Sequence, residues 1–276
     1  MMNVELMVAV TLISALGLPH GALDPWVAWR SGLVKTSRGM VFFLCVYIAL
    51  CILGLIGWYL SPTLALIVFL GYSAIHFGRD QAERCVFGGA PYGLLVIGGP
   101  SLFRPSEVQS IYAALTAYDS SGLALSLSQA SLGLGVIGLV YSWFISHHRG
   151  RAQGQGWLSL EVSALFILAY VAEPLWYFVI FFCALHSPRH LASEYQRASA
   201  RQRLIALGVM SFFTLVTVGV MLMIGERYYV ELKSLEALTY QAIFIGLSVL
   251  TIPHMCLMEW TRAQRVSASL GVTSPR

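Results

Sequence analysis

From Met40 to Leu60 the sequence runs without one charged side chain. A helix rises 1.5 Å per residue, so about 20 apolar residues cross the ~30 Å hydrocarbon core of a bilayer. Comparable apolar stretches recur near residues 3–20, 63–77, 86–103, 123–146, 157–172, 174–188, 204–225 and 236–258. This repetition makes the chain an integral membrane protein. Only 11% of its 276 residues are charged, whereas a soluble domain carries about a quarter, so too few charges remain to cover a water-facing surface. The expected fold class is all-α, a polytopic transmembrane helical bundle of about eight to nine membrane segments. No linker or shift in composition divides the chain, and residues 1–276 read as a single integral membrane domain.

The first apolar stretch, Met7 to Leu18, lacks a basic leader and runs into Pro19-His20-Gly21-Ala22 instead of a small-residue cleavage site. It reads as a retained first helix. The five cysteines (Cys45, Cys51, Cys85, Cys183 and Cys256) form no CxxC pair, so neither a disulfide framework nor a zinc site is expected. A net charge of +4 carries no nucleic-acid signature. The placement of the charges is more informative, because cytoplasmic loops collect Lys and Arg. With the N-terminus outside and nine alternating segments, 14 of the 17 basic residues fall inside, and only Arg104, Arg227 and Lys233 fall outside. The C-terminus is then cytoplasmic. Ser106–Ala117 becomes an outside loop with a short interfacial helix.

Five of the seven histidines lie within or at the ends of apolar segments: His20, His76, His186, His190 and His254. Ionisable groups at membrane depth are costly and usually face a bundle interior where they find partners. In this topology all five sit near the cytoplasmic face, although the topology was built without them. His186 and His190 are spaced i, i+4, which places them on one helix face if a turn restarts at Pro188. Histidines from several helices converging in a bundle core are a common way to build a metal site. Neutral imidazole suits iron, zinc, copper and nickel. By contrast, His147 and His148 precede Arg149-Gly150-Arg151 and read as solvated.

Two local patterns, His20 to Asp24 and His76 to Asp80, both read H-x-x-x-D. A metal-bound histidine commonly gives its second ring N–H to a carboxylate. Asp24 and Asp80 are placed to serve their own histidines one turn below. Alternatively they balance Arg30, Arg79 or Arg84, or one of them binds the metal directly in a facial triad. Gly21 and Gly78 would permit close approach of helices or substrate. A ligand set dominated by neutral imidazoles leaves a divalent iron, Fe(2+), with its positive charge and with positions open to dioxygen.

The stretch Gly17-Leu18-Pro19-His20-Gly21-Ala22-Leu23-Asp24 resembles the signature of the Brp/Blh family of membrane β-carotene 15,15′-dioxygenases. The likeness continues at Ala74-Ile75-His76-Phe77-Gly78, His186-Ser187-Pro188-Arg189-His190 and Pro253-His254, from the first helix to the last. The resemblance implies a multi-pass protein of a bacterial or archaeal cell (inner) membrane. It implies cleavage of β-carotene by O2 to two molecules of retinal, often for a rhodopsin. It also implies an iron held by His20, His76, His186 and His190, with His254 as a fifth ligand or supporting group.

Such a reaction needs no side-chain nucleophile or general base, so no catalytic residue is expected beyond the metal centre. Carotenoid dissolves in membrane lipid, and its pocket should be apolar and aromatic. Candidate lining residues are Tyr72, Phe77, Trp176, Tyr177, Phe178, Phe181, Phe182, Met255 and Met258. Three other readings stay open at this level. One is a membrane lipid hydroxylase or desaturase, which normally needs more histidines in H-x-x-H-H clusters. The second is a haem-binding membrane protein, and the third is a factor that hands retinal to an opsin. Glu161 is the one acid without an evident place; it either hydrogen-bonds the site or ends its helix.

Overall fold

The computed structural model describes residues 4–82, 89–116, 118–148, 155–196, 198–228 and 235–269. Cys85, Arg84, Arg149, Arg151, Arg197, Lys233 and Arg276, and residues 86–88 of one expected segment, lie outside these residues. Among the described residues every regular element is a helix. Helix α1 (Val4–Leu12) widens into a π-helical turn, Ile13–Gly17, and continues as α2 (Pro19–Ala22) and α3 (Asp24–Arg30). There follow α4 (Ser37–Leu60), α5 (Pro62–Ala82), α6 (Gly89–Phe103), α7 (Pro105–Leu115), α8 (Tyr118–His148) and α9 (Gln155–Val171). Helix α10 (Pro174–Ile180) passes through a second π-helical turn, Phe181–His186, into α11 (Ser187–Gln196), and α12 (Ala200–Tyr228) and α13 (Leu235–Ser269) complete the bundle.

Among the described residues four stretches are long and apolar enough to cross a membrane: Val4–Arg30, Ser37–Leu60, Ser121–His148 and Ala237–Arg265. Gly156–Val171 is a shorter apolar helix. The outer face of α4 exposes Val41, Phe42, Ile48 and Leu53, a surface that suits lipid tails and not water. Its start is fixed by Thr36, whose hydroxyl accepts from the Gly39 N–H at 3.1 Å.

Helix α6 is the packing centre, against α5 on one side and α8 on the other. Small residues allow this closeness. A Cβ on Gly78 would come within 2.6 Å of the Gly89 carbonyl oxygen across the α5–α6 contact. Within the stretch 106–117, expected as an outside loop with a short interfacial helix, the helix is α7, which runs to Leu115. Its apolar face of Val108, Ile111, Tyr112 and Leu115 is buried against α8 and α13. The reason is periodic: these residues recur at i, i+3, i+4 and i+7, so one stripe turns inward.

Candidate metal centre

Four of the five segment histidines lie beside a proline. Pro19 opens α2 just before His20, Pro188 stands between His186 and His190, and Pro253 lies inside α13 just before His254. Proline removes a backbone N–H and releases the carbonyl one turn back. The two π-helical turns lie directly upstream of His20 and Ser187, and they touch one another. Ser187 Oγ donates to the Leu16 carbonyl at 2.5 Å and ties them together. Such turns inside α-helices often occur at functional sites. The pattern of apolar residues does not signal them.

All five rings meet in the centre of the bundle, each at most 9% exposed. Ring centroids of His20 lie 5.2 Å from His186, 5.8 Å from His190 and 5.2 Å from His254. His76 lies 4.8 Å from His186 and 5.3 Å from His254, and His190 lies 5.2 Å from His254. His76 Nε2 and His186 Nε2 are 3.2 Å apart. The remaining two histidines, His147 and His148, sit exposed at the end of α8 against Trp143 and Phe144.

The second nitrogen of three rings is anchored. His20 Nδ1 donates to the Gly17 carbonyl at 2.5 Å. His186 Nδ1 lies 3.0 Å from Asp80 Oδ2, and His254 Nδ1 donates to Asp24 Oδ1 at 2.8 Å. Carbonyls and carboxylates only accept, so the proton stands on Nδ1 and the lone pair on Nε2. The aspartates therefore do support histidines, but not the ones that share their sequence motif. Asp24 serves His254 from α13, and Asp80 serves His186 on the second π-turn. The arginines that might have claimed them are matched elsewhere, Arg30 by Glu194 and Arg79 by Glu259.

These residues fit a metal ion. With a metal–nitrogen bond of ~2.0–2.1 Å, neighbouring imidazole ligands have nitrogens about 2.9–3.4 Å apart and ring centroids about 5 Å apart. The Nε2 pair at 3.2 Å and centroids between 4.8 and 5.8 Å lie in that range. Among the described residues the ligand atoms that all lie within 4.8 Å of one another are those of His76, Asp80 and His186, a group that does not include His20, His190 or His254. Finally, His254 Nε2 is buried and has no hydrogen-bond partner, which is an expensive arrangement unless an ion meets it.

Three cavities border the cluster. The first is apolar and includes Phe77, Tyr177, Phe178, Phe181 and Phe182, with His20, His76 and His186 in its wall. The second lies on the other side, between α4, α12 and α13, and is walled by Leu44, Ile48, Phe213, Val216 and His254. His20, Phe182, Leu247 and Thr251 belong to both. The third is polar. It runs from His186 and His190 past Asp80 and Glu194 to Arg189, Arg262 and Arg265, with Met258 in its wall. Tyr72, Trp176 and Met255 lie outside these walls. Tyr72 instead donates to the Ser248 carbonyl at 2.5 Å, and Trp176 packs against the apolar core around α1 and α10. Glu161 is held by Arg189 through both carboxylate oxygens, at 2.5 and 2.9 Å, and by the Tyr92 hydroxyl. It braces the helix that carries His190 without touching the histidine rings.

Comparison with known proteins places the chain in a family. Residues 11–262 match the family model described as β-carotene 15,15′-dioxygenase. The chain belongs to the β-carotene 15,15′-dioxygenase family. A relative named β-carotene 15,15′-dioxygenase, from an uncultured marine bacterium (66A03), is 27% identical, covering 91% of this chain and 92% of its own length. A second relative, the probable β-carotene 15,15′-dioxygenase Blh of Halobacterium salinarum, is 24% identical over 88% of this chain and 80% of its own. No solved structure matches. All five clustered histidines of this dioxygenase-family chain lie inside the matched span. The residues that sequence reasoning missed are Tyr47, Gly17 as a carbonyl acceptor, and Glu194. Tyr47 donates to Asp24 at 2.9 Å, and Glu194 is 1% exposed in the wall of the polar cavity.

Proposed function

We propose that this chain cleaves the central 15,15′ double bond of β-carotene with dioxygen and releases two molecules of retinal. Ferrous iron, held by His20, His76, His186 and His190, would supply the activation of dioxygen. The observation that carries the reading is the position of the histidine cluster as the shared wall of two apolar cavities. A symmetric polyene cleaved at its midpoint needs room for one arm on each side of the reacting bond. Phe181, Phe182 and Tyr177 exclude water along one arm, and Phe213 and Val216 along the other. The Gly17 carbonyl and Asp80 fix the tautomers and orientations of His20 and His186. Breaking the carbon–carbon double bond consumes both oxygen atoms of O2, one for each aldehyde, so no proton transfer by a side chain is required.

We further infer eight to nine crossings with the N-terminus outside and the cluster near the cytoplasmic face of a prokaryotic cell (inner) membrane. Support comes from the polar cavity, which joins His186 and His190 to Arg189, Arg262 and Arg265, because basic residues gather on the cytoplasmic side. Retinal released there is available to a retinal-binding partner such as a rhodopsin.

The direct test is expression in bacteria that accumulate β-carotene. Orange cells should bleach and yield retinal in a ratio of two per carotene lost. Iron-loaded protein in normal amount that leaves the carotene intact would refute the proposal.

A further inference from the structure

The wall of the first apolar cavity carries four hydroxyls, on Ser73, Tyr112, Tyr177 and Thr251. Three are engaged: Tyr112 with Ser128 Oγ at 2.7 Å, Tyr177 with the Val96 carbonyl at 3.2 Å, and Thr251 with the Leu247 carbonyl at 2.6 Å. Ser73 is 5% exposed, and its hydroxyl has no hydrogen-bond partner among the described residues. A helical serine can take the carbonyl one turn back, as Thr251 does, yet Ser73 leaves its donor to a cavity that is otherwise mostly hydrocarbon. A buried polar group without a partner calls for an explanation. Ser73 and His76 are three residues apart on α5, so they share a face and both stand in this wall, about 4.5 Å apart along the helix axis. The hydroxyl therefore lies close to the level of the histidine cluster. β-Carotene is a pure hydrocarbon and offers it no acceptor. Retinal does, because its carbonyl is at the cut end, where the reacting bond lay beside the cluster.

We propose that the Ser73 hydroxyl donates a hydrogen bond to the aldehyde oxygen of the retinal left in this cavity, a product-binding contact that the uncut carotene does not use. The inference rests on the cleavage reading above and adds to it a residue that tells product from substrate. The contact retains one retinal after the double bond is broken, so retinal should compete with carotene for this cavity.

Isotope-edited infrared spectroscopy tests it with a readout independent of turnover. Purified full-length protein in detergent binds all-trans-retinal carrying carbon-13 at the carbonyl, and the carbonyl stretch is read after subtracting retinal in empty micelles. A donated hydrogen bond lowers that frequency. In Ser73→Ala the stretch should rise, and the Kd for retinal should increase by about 2–10-fold, the range expected for one neutral hydrogen bond. The Kd for β-carotene should stay the same or fall, because a bare hydroxyl no longer faces hydrocarbon. Ser73→Thr keeps the hydroxyl and should hold the stretch near its wild-type position. An unmoved stretch with wild-type retinal affinity in Ser73→Ala would overturn the proposal. Equal weakening of retinal and carotene would overturn it too, in favour of a packing role. Should Ser73→Ala fail to fold, as judged by its elution and thermal unfolding, Ser73→Cys decides: its thiol is a weaker donor, and an unmoved stretch there is equally fatal. A wild-type protein that binds retinal through Ser73 yet leaves β-carotene whole supports this contact and defeats the cleavage reading, an outcome distinct from the failure of Ser73 alone.

Discussion

Gly17→Ala should disable the site although it adds only one methyl group. A Cβ at position 17 would lie 2.5 Å from Phe182 Cε1 and 2.8 Å from Cδ1. Carbon atoms in contact sit about 3.5–4.0 Å apart, so the ring must retreat by roughly 1 Å. It has little freedom to do so. Phe182 stacks on Phe178 at 5.2 Å and on His186 at 5.6 Å, and meets the edge of His20 at 5.2 Å. Any retreat is passed to two histidines of the cluster. Overpacking of this kind costs about 1–3 kcal/mol, or roughly 2–4 °C of thermal midpoint per kcal/mol in a chain of this size. A misplacement of about 1 Å at a reacting centre costs about 10²-fold in rate. Thermal unfolding in detergent and the initial rate of retinal formation read the two effects. Phe182→Leu in the Gly17→Ala background should recover part of both. Gly133→Ala, on the exposed side of α8 with nothing within 4 Å of its added Cβ, is the control. A Gly17→Ala protein with the wild-type midpoint and rate would show that the approach of the first π-turn to Phe182 does not position the histidines.

Three further outcomes are expected. Leu115→Trp, in the wall of the first apolar cavity, should shorten one arm and shift cleavage to unequal aldehydes, resolved by chromatography; retinal alone at the wild-type rate counts against the two-arm arrangement. Arg189→Met removes the two hydrogen bonds that Glu161 receives from this residue, and should lower unfolding stability by about 1–2 kcal/mol, a value discounted because Arg189 is 29% exposed. An iron chelator should abolish cleavage by purified protein, and ferrous iron should restore it; undiminished cleavage by metal-free protein removes the metal from the reaction.

Much of this molecule is legible in one dimension. An imidazole inside an apolar run stands out because its desolvation must be compensated. The sequence alone therefore marks His20, His76, His186, His190 and His254 as one group. The length of the apolar runs gives the helical, membrane-bound class. What the sequence pairs wrongly are the aspartates. Asp24 follows His20 by four residues yet serves His254, and Asp80 follows His76 yet serves His186. Spacing along a helix tells which residues share a face. It does not tell which neighbour that face meets, because the rotation and approach of each helix are set by packing against others, as at Gly78 on Gly89.

The amino-acid sequence by itself determined the helices, their attachment to a membrane and the identity of the clustered histidines, because burial of apolar length and of costly polar groups are local properties of a segment. Only the tertiary structure decided the partners: Tyr47 on Asp24, Asp24 on His254, the Gly17 carbonyl on His20, and two apolar cavities meeting at Phe182. Those relations join residues up to 230 positions apart. They arise where helix interruptions and small residues let separate segments come together, and no single segment contains that information.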